Sequence, residues 1–246
     1  MSNPSPLDYR YRNDCPLHPR QNLGKNVNPE TTRTVFETER LLAIGRFTDR
    51  EAALGATRAL REAGFQLIEI TLSFEEWPSV LEELASWPEV TPGVGTVMTP
   101  EDARLALSLG AQYIVSPHTD AEVIRIARDG GALAIPGAAT PTEIATAWRL
   151  GADLIKLFPA PILGGPEYLR VLKGPLPEVR YLVTGNVKPE TIQEYLETGV
   201  VIAAGLGSPV LPPESVANQD WNTVQKTAKA VKQQIKKLSI HQKTRT

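Results

Sequence analysis

The sequence predicts an α/β protein: a closed (β/α)8 TIM barrel with a short N-terminal helix before the first strand and an amphipathic C-terminal helix after the last. Three observations predict it. Short apolar runs begin near Leu41, Gln66, Thr91, Tyr113, Ala132, Leu154, Arg180 and Val200, at intervals of 25, 25, 22, 19, 22, 26 and 20 residues. The stretches between them read as helices that open on capping boxes, Thr48-Asp-Arg-Glu51, Thr99-Pro-Glu-Asp102 and Thr140-Pro-Thr-Glu143. Their ends carry glycine, at Gly64, Gly110, Gly130, Gly151 and Gly199, where a helix C-terminus wants a residue that tolerates positive φ. Strand, helix, glycine, strand means parallel strands with helical crossovers, and eight such units favour closure over an open doubly wound sheet. No Gly-x-Gly-x-x-Gly turn follows the first strand, which ends Ile44-Gly45-Arg46 and so lacks the dinucleotide-binding fingerprint.

Residues 1–28 are rich in Pro, Asn and Arg without periodicity and read as an N-terminal extension, disordered or draped over the body. Asn28 and Pro29 supply a helix cap and first turn for a short helix near Glu30–Thr38. Residues 29–246 then read as a single barrel domain including the terminal helix. In that helix Trp221, Val224, Ala228, Val231, Ile235 and Leu238 fall on one face.

The chain has 246 residues, of which 41% are hydrophobic and 22% charged, a composition that excludes wholesale disorder and a disulfide-framed miniprotein. The single cysteine, Cys15, cannot form an internal disulfide, and no secretory signal pattern opens the chain, so a reducing cytoplasm is expected. No apolar run approaches the roughly 20 residues of a membrane span. The net charge of −2 conceals an uneven distribution, because residues 220–246 hold seven Lys/Arg against Asp220 alone. No aromatic residues interleave those lysines, so they read as the solvated face of the terminal helix rather than a nucleic-acid surface.

Two charges stand where apolar residues belong: Glu69 in Leu67-Ile-Glu-Ile-Thr71 and Lys156 in Leu154-Ile-Lys-Leu-Phe-Pro159. Both faces of a barrel strand are buried, so such a charge is costly unless paired or used, and active sites lie at the C-terminal strand ends. A buried ion pair is one reading. A partly desolvated lysine, however, has a lowered pKa, and its neutral amine attacks carbonyls to form a Schiff base. A neighbouring carboxylate moves protons during carbinolamine dehydration, substrate deprotonation and enamine reprotonation. Lys plus Glu in a barrel therefore suggests a class I aldolase or related lyase that uses no metal and no cofactor. The histidines, His18, His118 and His241, are too scattered for a metal site. The last two strands end Val183-Thr-Gly-Asn186 and Ala204-Gly-Leu-Gly-Ser208, small residues and a hydroxyl of the kind that bind phosphate in barrels. The third ends Gly93-Val-Gly-Thr96, whose threonine can donate to a carboxylate.

Taken in order, Ile68-Glu-Ile-Thr-Leu72, Gly93-Val-Gly-Thr-Val97, Ser116-Pro117, Ile135-Pro-Gly137 with Thr140, Ile155-Lys-Leu-Phe-Pro159, Thr184-Gly185 and Gly205-Leu-Gly-Ser208 resemble the 2-keto-3-deoxy-6-phosphogluconate (KDPG)/KHG aldolase family. The resemblance runs from about Leu41 to Val216. It implies a cytoplasmic lyase of the Entner–Doudoroff pathway that cleaves KDPG to pyruvate and glyceraldehyde 3-phosphate. It also implies a homotrimer acting on a phosphorylated keto acid, with no nucleic-acid or membrane partner. Lys156 matches the Schiff-base lysine and Glu69 the general acid/base. Arg46, Thr96, Pro117, Phe158 and Thr184 match substrate-lining positions, and Gly185, Gly207 and Ser208 match the phosphate end.

The sequence departs from the family pattern at three places. Ser73 stands where an arginine usually binds the pyruvate carboxylate, Asn186 replaces the second glycine of Thr-Gly-Gly, and His118 replaces the glycine of Ser-Pro-Gly. Alternatives to KDPG cleavage are an aldolase or decarboxylase for another 2-oxo acid, 4-hydroxy-2-oxoglutarate or oxaloacetate, and a catalytically silent barrel that binds a phosphometabolite.

Overall fold

A computed structural model describes residues 28–243, with side chains through Lys236. The predicted N-terminal extension, Cys15 and His18 therefore lie outside the described residues, as do the side chains of Leu238 and His241. The chain opens with α1 (Pro29–Glu39), which Asn28 caps by accepting from the backbone N–H groups of Glu30 and Thr31. Strands and helices then alternate: β1 (Leu41–Gly45), α2 (Arg50–Glu62), β2 (Leu67–Thr71), α3 (Trp77–Ala85), β3 (Thr91–Gly95), α4 (Pro100–Ser108), β4 (Tyr113–Val115) and α5 (Ala121–Asp129). The second half comprises β5 (Leu133–Ile135), β6 (Gly137–Ala138), α6 (Pro141–Arg149), β7 (Ile155–Leu157), α7 (Gly165–Lys173), β8 (Tyr181–Val183), α8 (Ile192–Glu197), β9 (Val201–Leu206), α9 (Pro213–Ala217) and α10 (Trp221–Lys243).

All eight predicted strands are present, and every pairing between them is parallel. The sheet runs β5-β4-β3-β2-β1-β9-β8-β7-β6. Its two ends are consecutive in the chain and separated only by Pro136, so β5 and β6 are halves of one stave. Leu133–Ile135 pair with β4 and Gly137–Ala138 with β7. The ninth strand, which the periodicity does not show, arises because Pro136 has no N–H to give to the ladder while its carbonyl still accepts from the Lys156 N–H at 2.9 Å. The (β/α)8 prediction stands.

Three local predictions need correction. Asp49, not Thr48, caps α2: its carboxylate accepts from the Ala52 N–H at 2.8 Å and from the Thr48 hydroxyl at 2.9 Å. The left-handed residue after α5 is Gly131 at φ 80°, while Gly130 remains right-handed. The box at Thr140 forms as the sequence predicts, with Glu143 accepting from the Thr140 N–H, whereas at Thr99 only half of it forms: the hydroxyl accepts from the Asp102 N–H at 3.1 Å, and the Asp102 carboxylate accepts from that hydroxyl rather than from the Thr99 N–H.

Alternation sorts each strand into two faces. Leu42, Leu67, Tyr113, Leu133, Leu154 and Leu182 form a lumen cluster, whereas Ile68, Ile70, Ile114, Ile155 and Val183 join the larger core beneath the helices. Glu69 and Lys156 share the alternation of Leu67 and Leu154, so both enter the lumen. The helix α1 seals the N-terminal end: Phe36 joins the lumen cluster, Thr32 bonds Gln112 just before β4, and Arg33 pairs with Asp153 just before β7 at 2.9 Å. On the outer wall, Val224, Ala228, Val231 and Ile235 of α10 are buried and Trp221 fills the space over Gly55 of α2. Lys226 and Lys229 face solvent, while Lys232 bridges Glu39 and the Gly64 carbonyl.

Candidate active site

Glu69 and Lys156 are 1% and 5% exposed, which leaves almost no bulk water around either charge. Burial pushes the Glu69 carboxyl above the usual carboxylate range, against the pull of the Lys156 and Arg46 charges. Burial likewise takes Lys156 below the usual lysine range. Glu69 opposes that shift and Arg46 adds to it. In the ring of staves β2 and β7 stand diametrically opposite, so the pair spans the lumen.

The carboxylate of Glu69 is seated by a missing side chain. A Cβ at Gly95 would lie 1.7 Å from Glu69 Oε1, so only glycine at the end of β3 leaves room for it. The next residue, Thr96, has φ 63°, a left-handed conformation that is strained for a β-branched side chain and is typical of functional loops. A Cβ at Gly137, the register partner of Lys156, would strike the Pro117 carbonyl carbon at 2.3 Å. The Ser116-Pro117-His118 turn is thereby laid against β6 beside the lysine, and Thr119 fastens it by donating to the Gly137 carbonyl at 3.1 Å.

Above the lysine a cavity of about 800 Å³ opens at the C-terminal end of the barrel. Seven of the predicted site residues line it: Arg46, Lys156, Phe158, Thr184, Gly185, Gly207 and Ser208. Thr96 follows β3 and Pro117 follows β4 at the same end of the barrel, and neither they nor Glu69 line the cavity. The Lys156 ammonium sits 5.2 Å from the Phe158 ring centroid, a cation–π contact that leaves the rest of that half-exposed ring at the mouth. Thr184 lines the cavity, and its Oγ1 is buried and unpartnered among the described residues. Gly185 and Asn186 turn the loop after β8 with φ 93° and 63°, and a Cβ at Gly185 would press on Pro159 at 2.8 Å. Arg46 is exposed and makes no side-chain hydrogen bond or ion pair among the described residues, which leaves a cation available at the cavity wall.

The residues at the departures also have places. Ser73 is exposed, its Oγ 2.8 Å from Thr71 Oγ1, which donates to the Gly45 carbonyl at 3.1 Å. Thr71 thus ties the end of β2 to β1, and Ser73 bonds to Thr71. His118 is exposed, and Asn186 lines the cavity. Sequence reasoning missed the outer wall, formed by Phe47, Thr48 and Asp49 before α2 and by Val216, Ala217 and Gln219 at α9. The Pro212-Pro213 pair was the available signal for that short helix. No three His, Cys, Asp or Glu side chains come together in a metal-binding group among the described residues.

Residues 33–227, most of the chain and the whole barrel, match the family described as KDPG and KHG aldolase. The chain belongs to this family. A KDPG/KHG aldolase relative, the 2-dehydro-3-deoxy-phosphogluconate aldolase of Pseudomonas aeruginosa, is 33% identical over 83% of this chain and 94% of its own. The 2-dehydro-3-deoxy-6-phosphogalactonate aldolase of Escherichia coli is 36% identical over 68% of this chain and 82% of its own. Among solved structures, the KDPG aldolase of Legionella pneumophila, with pyruvate captured as a covalent carbinolamine, superposes with a TM-score of 0.75 at 28% identity. That match covers 81% of this chain and 97% of the other. The family's barrel is the fold described above, and among the described residues no helix is long and apolar enough to cross a membrane.

Proposed function

We propose that this chain is a class I aldolase that cleaves 2-keto-3-deoxy-6-phosphogluconate to pyruvate and glyceraldehyde 3-phosphate. The observation that carries this reading is the buried Lys156 and Glu69 facing one lumen beneath a cavity walled by Arg46 and the Gly207-Ser208 turn. Lys156 Nζ, its pKa lowered by burial, attacks the C2 carbonyl as the free amine. Water leaves the carbinolamine and an iminium remains. Glu69 takes the C4 hydroxyl proton, the C3–C4 bond breaks, and its electron pair flows into the iminium to give an enamine as the aldehyde departs. Returning the proton to C3 and hydrolysing the imine frees pyruvate and the amine. Thr184, Thr96, Pro117 and Phe158 surround the pyruvate half in this reading, while Gly185, Gly207, Ser208 and Arg46 hold the anionic far end.

The covalent carbinolamine named for the Legionella relative supports the Schiff-base route. The reading places the chain in the cytoplasm, in the Entner–Doudoroff sequence, as a homotrimer whose subunits each carry residues 29–246 as one domain. Light scattering during gel filtration measures the last of these. The test of mechanism is borohydride reduction with pyruvate followed by peptide mass spectrometry. A pyruvate adduct on Lys156 is expected, and an unmodified, folded protein would sink the route. The 36% identity to a phosphogalactonate aldolase favours one second reading, cleavage of the C4 epimer. Steady-state rates on the two epimers and on unphosphorylated 4-hydroxy-2-oxoglutarate separate these substrates.

A further inference from the structure

Tyr113 is a buried titratable group that the chemistry above does not use. Glu69, Gly93 and Tyr113 are register partners across β2, β3 and β4, so all three present to the lumen. Gly93, in the middle, has no side chain, and the phenol occupies the place where one would be. A Cβ at Gly93 would lie 2.1 Å from Tyr113 Cε2 and 2.4 Å from Cζ. The ring therefore leans across β3 toward the strand that carries Glu69. Phe36 of α1 supports it edge-on, with centroids 5.1 Å apart at 82°. Glu69 Oε2 and the Tyr113 hydroxyl are both buried, and neither has a hydrogen-bond partner among the described residues. Buried polar atoms are almost always satisfied, so two orphans that converge on one lumen are better explained together than apart.

We propose that Tyr113 is a positioning residue for Glu69, its O–H donating to the inner carboxylate oxygen, directly or through one shared water, whenever Glu69 is ionised. The phenol acts as a donor throughout and never as a base, because burial and the Glu69 charge hold its pKa well above the usual phenol range. Three groups then face the carboxylate: Lys156 from β7, Arg46 from the end of β1, and Tyr113 from β4. A donor to the charged form favours ionisation and opposes the effect of burial. The consequence for turnover rests on the aldolase reading, but the hydrogen bond itself does not.

The test is Tyr113→Phe, which keeps the ring against Phe36 and deletes the donor. Carbon-13 spectra of protein labelled at the glutamate carboxyls, with the Glu69 signal assigned through Glu69→Gln, report its titration without any substrate. The Glu69 midpoint is expected to rise by about one pH unit in Tyr113→Phe. Incorporating 3-fluorotyrosine at position 113, a stronger donor, is expected to move it the other way. The acid limb of kcat/KM is expected to follow both shifts. An unchanged midpoint in both variants overturns the proposal, including the case in which Tyr113→Phe only lowers the Tm. A wild-type protein inactive on the keto acid overturns the aldolase reading instead, and the carbon-13 midpoints still decide the role of Tyr113.

Discussion

Lys156 and Glu69, on opposite staves of the barrel, each undo part of what burial does to the other. Desolvation drives the carboxyl toward its acid form and the ammonium toward its free base, while the mutual attraction restores both charges. Burial thus moves both groups toward their neutral forms, the forms that amine attack and proton donation would use in the proposed reaction. A pair tuned for stability alone gains little over apolar replacements.

Replacing the lysine by a side chain of similar length separates chemistry from packing. Lys156→Met is expected to abolish pyruvate trapping and to lower kcat by about 10³-fold or more, with near-native circular dichroism. Glu69, having lost its attractive partner, takes up a proton at higher pH than in the wild type, so the fold is spared an unpaired buried anion. A trapping-competent Lys156→Met protein would refute the nucleophile assignment.

For Glu69→Gln the expected loss in kcat is about 10²–10⁴-fold, the usual worth of a positioned acid/base. The pH dependence of borohydride trapping carries a sign. Glu69 raises the Lys156 pKa, so its removal leaves burial and Arg46 unopposed, and the amine is free at lower pH. The acid limb of the trapping rate therefore moves to lower pH. Movement to higher pH would contradict the coupling.

Gly95 is expected to tolerate no side chain. In Gly95→Ala the new Cβ falls on the Glu69 carboxylate, so either the backbone of β3 shifts or Glu69 is displaced. Overpacking of this kind costs about 1–3 kcal/mol. Urea unfolding measures the stability loss, and kcat is expected to fall with it while pyruvate trapping persists. Wild-type kcat in the variant would show that the glutamate need not sit over Gly95.

Arg46→Met tests the exposed cation. A charge-assisted contact to a substrate anion is worth about 1.5–3 kcal/mol, which corresponds to a KM rise of about 10- to 100-fold. Arg46 lowers the pKa of both Glu69 and Lys156, so its loss raises both and moves the acid limb of trapping to higher pH, opposite to Glu69→Gln. An unchanged KM would remove Arg46 from the binding site.

Much of the fold is legible because barrel strands are buried on both faces. Runs such as Leu41–Gly45 and Leu67–Thr71 read as apolar, and Glu69 and Lys156 are conspicuous for the same reason. Local chemistry is legible too: the Thr140 box and the Thr99 cap form within four residues of themselves. The misses are of another kind. Thr48 and Asp49 are both competent caps, and only the path of the chain into α2 selects the aspartate. The split at Pro136 needs two different neighbours for one stave, β4 below and β7 above. Tyr113 reads as an ordinary core aromatic, and its relation to Glu69 exists only through the register across Gly93.

The sequence by itself determined the eight-stave barrel, the closing helix and the two charges on which the proposed chemistry turns, because burial and capping act over a few neighbouring residues. The tertiary structure decided that Gly95 and Gly93 leave the gaps into which Glu69 and Tyr113 reach, that Gly137 brings Pro117 to the lysine, and that α9 walls the cavity. Those relations join residues far apart in the chain. They depend on strand register and ring closure, which no local periodicity carries.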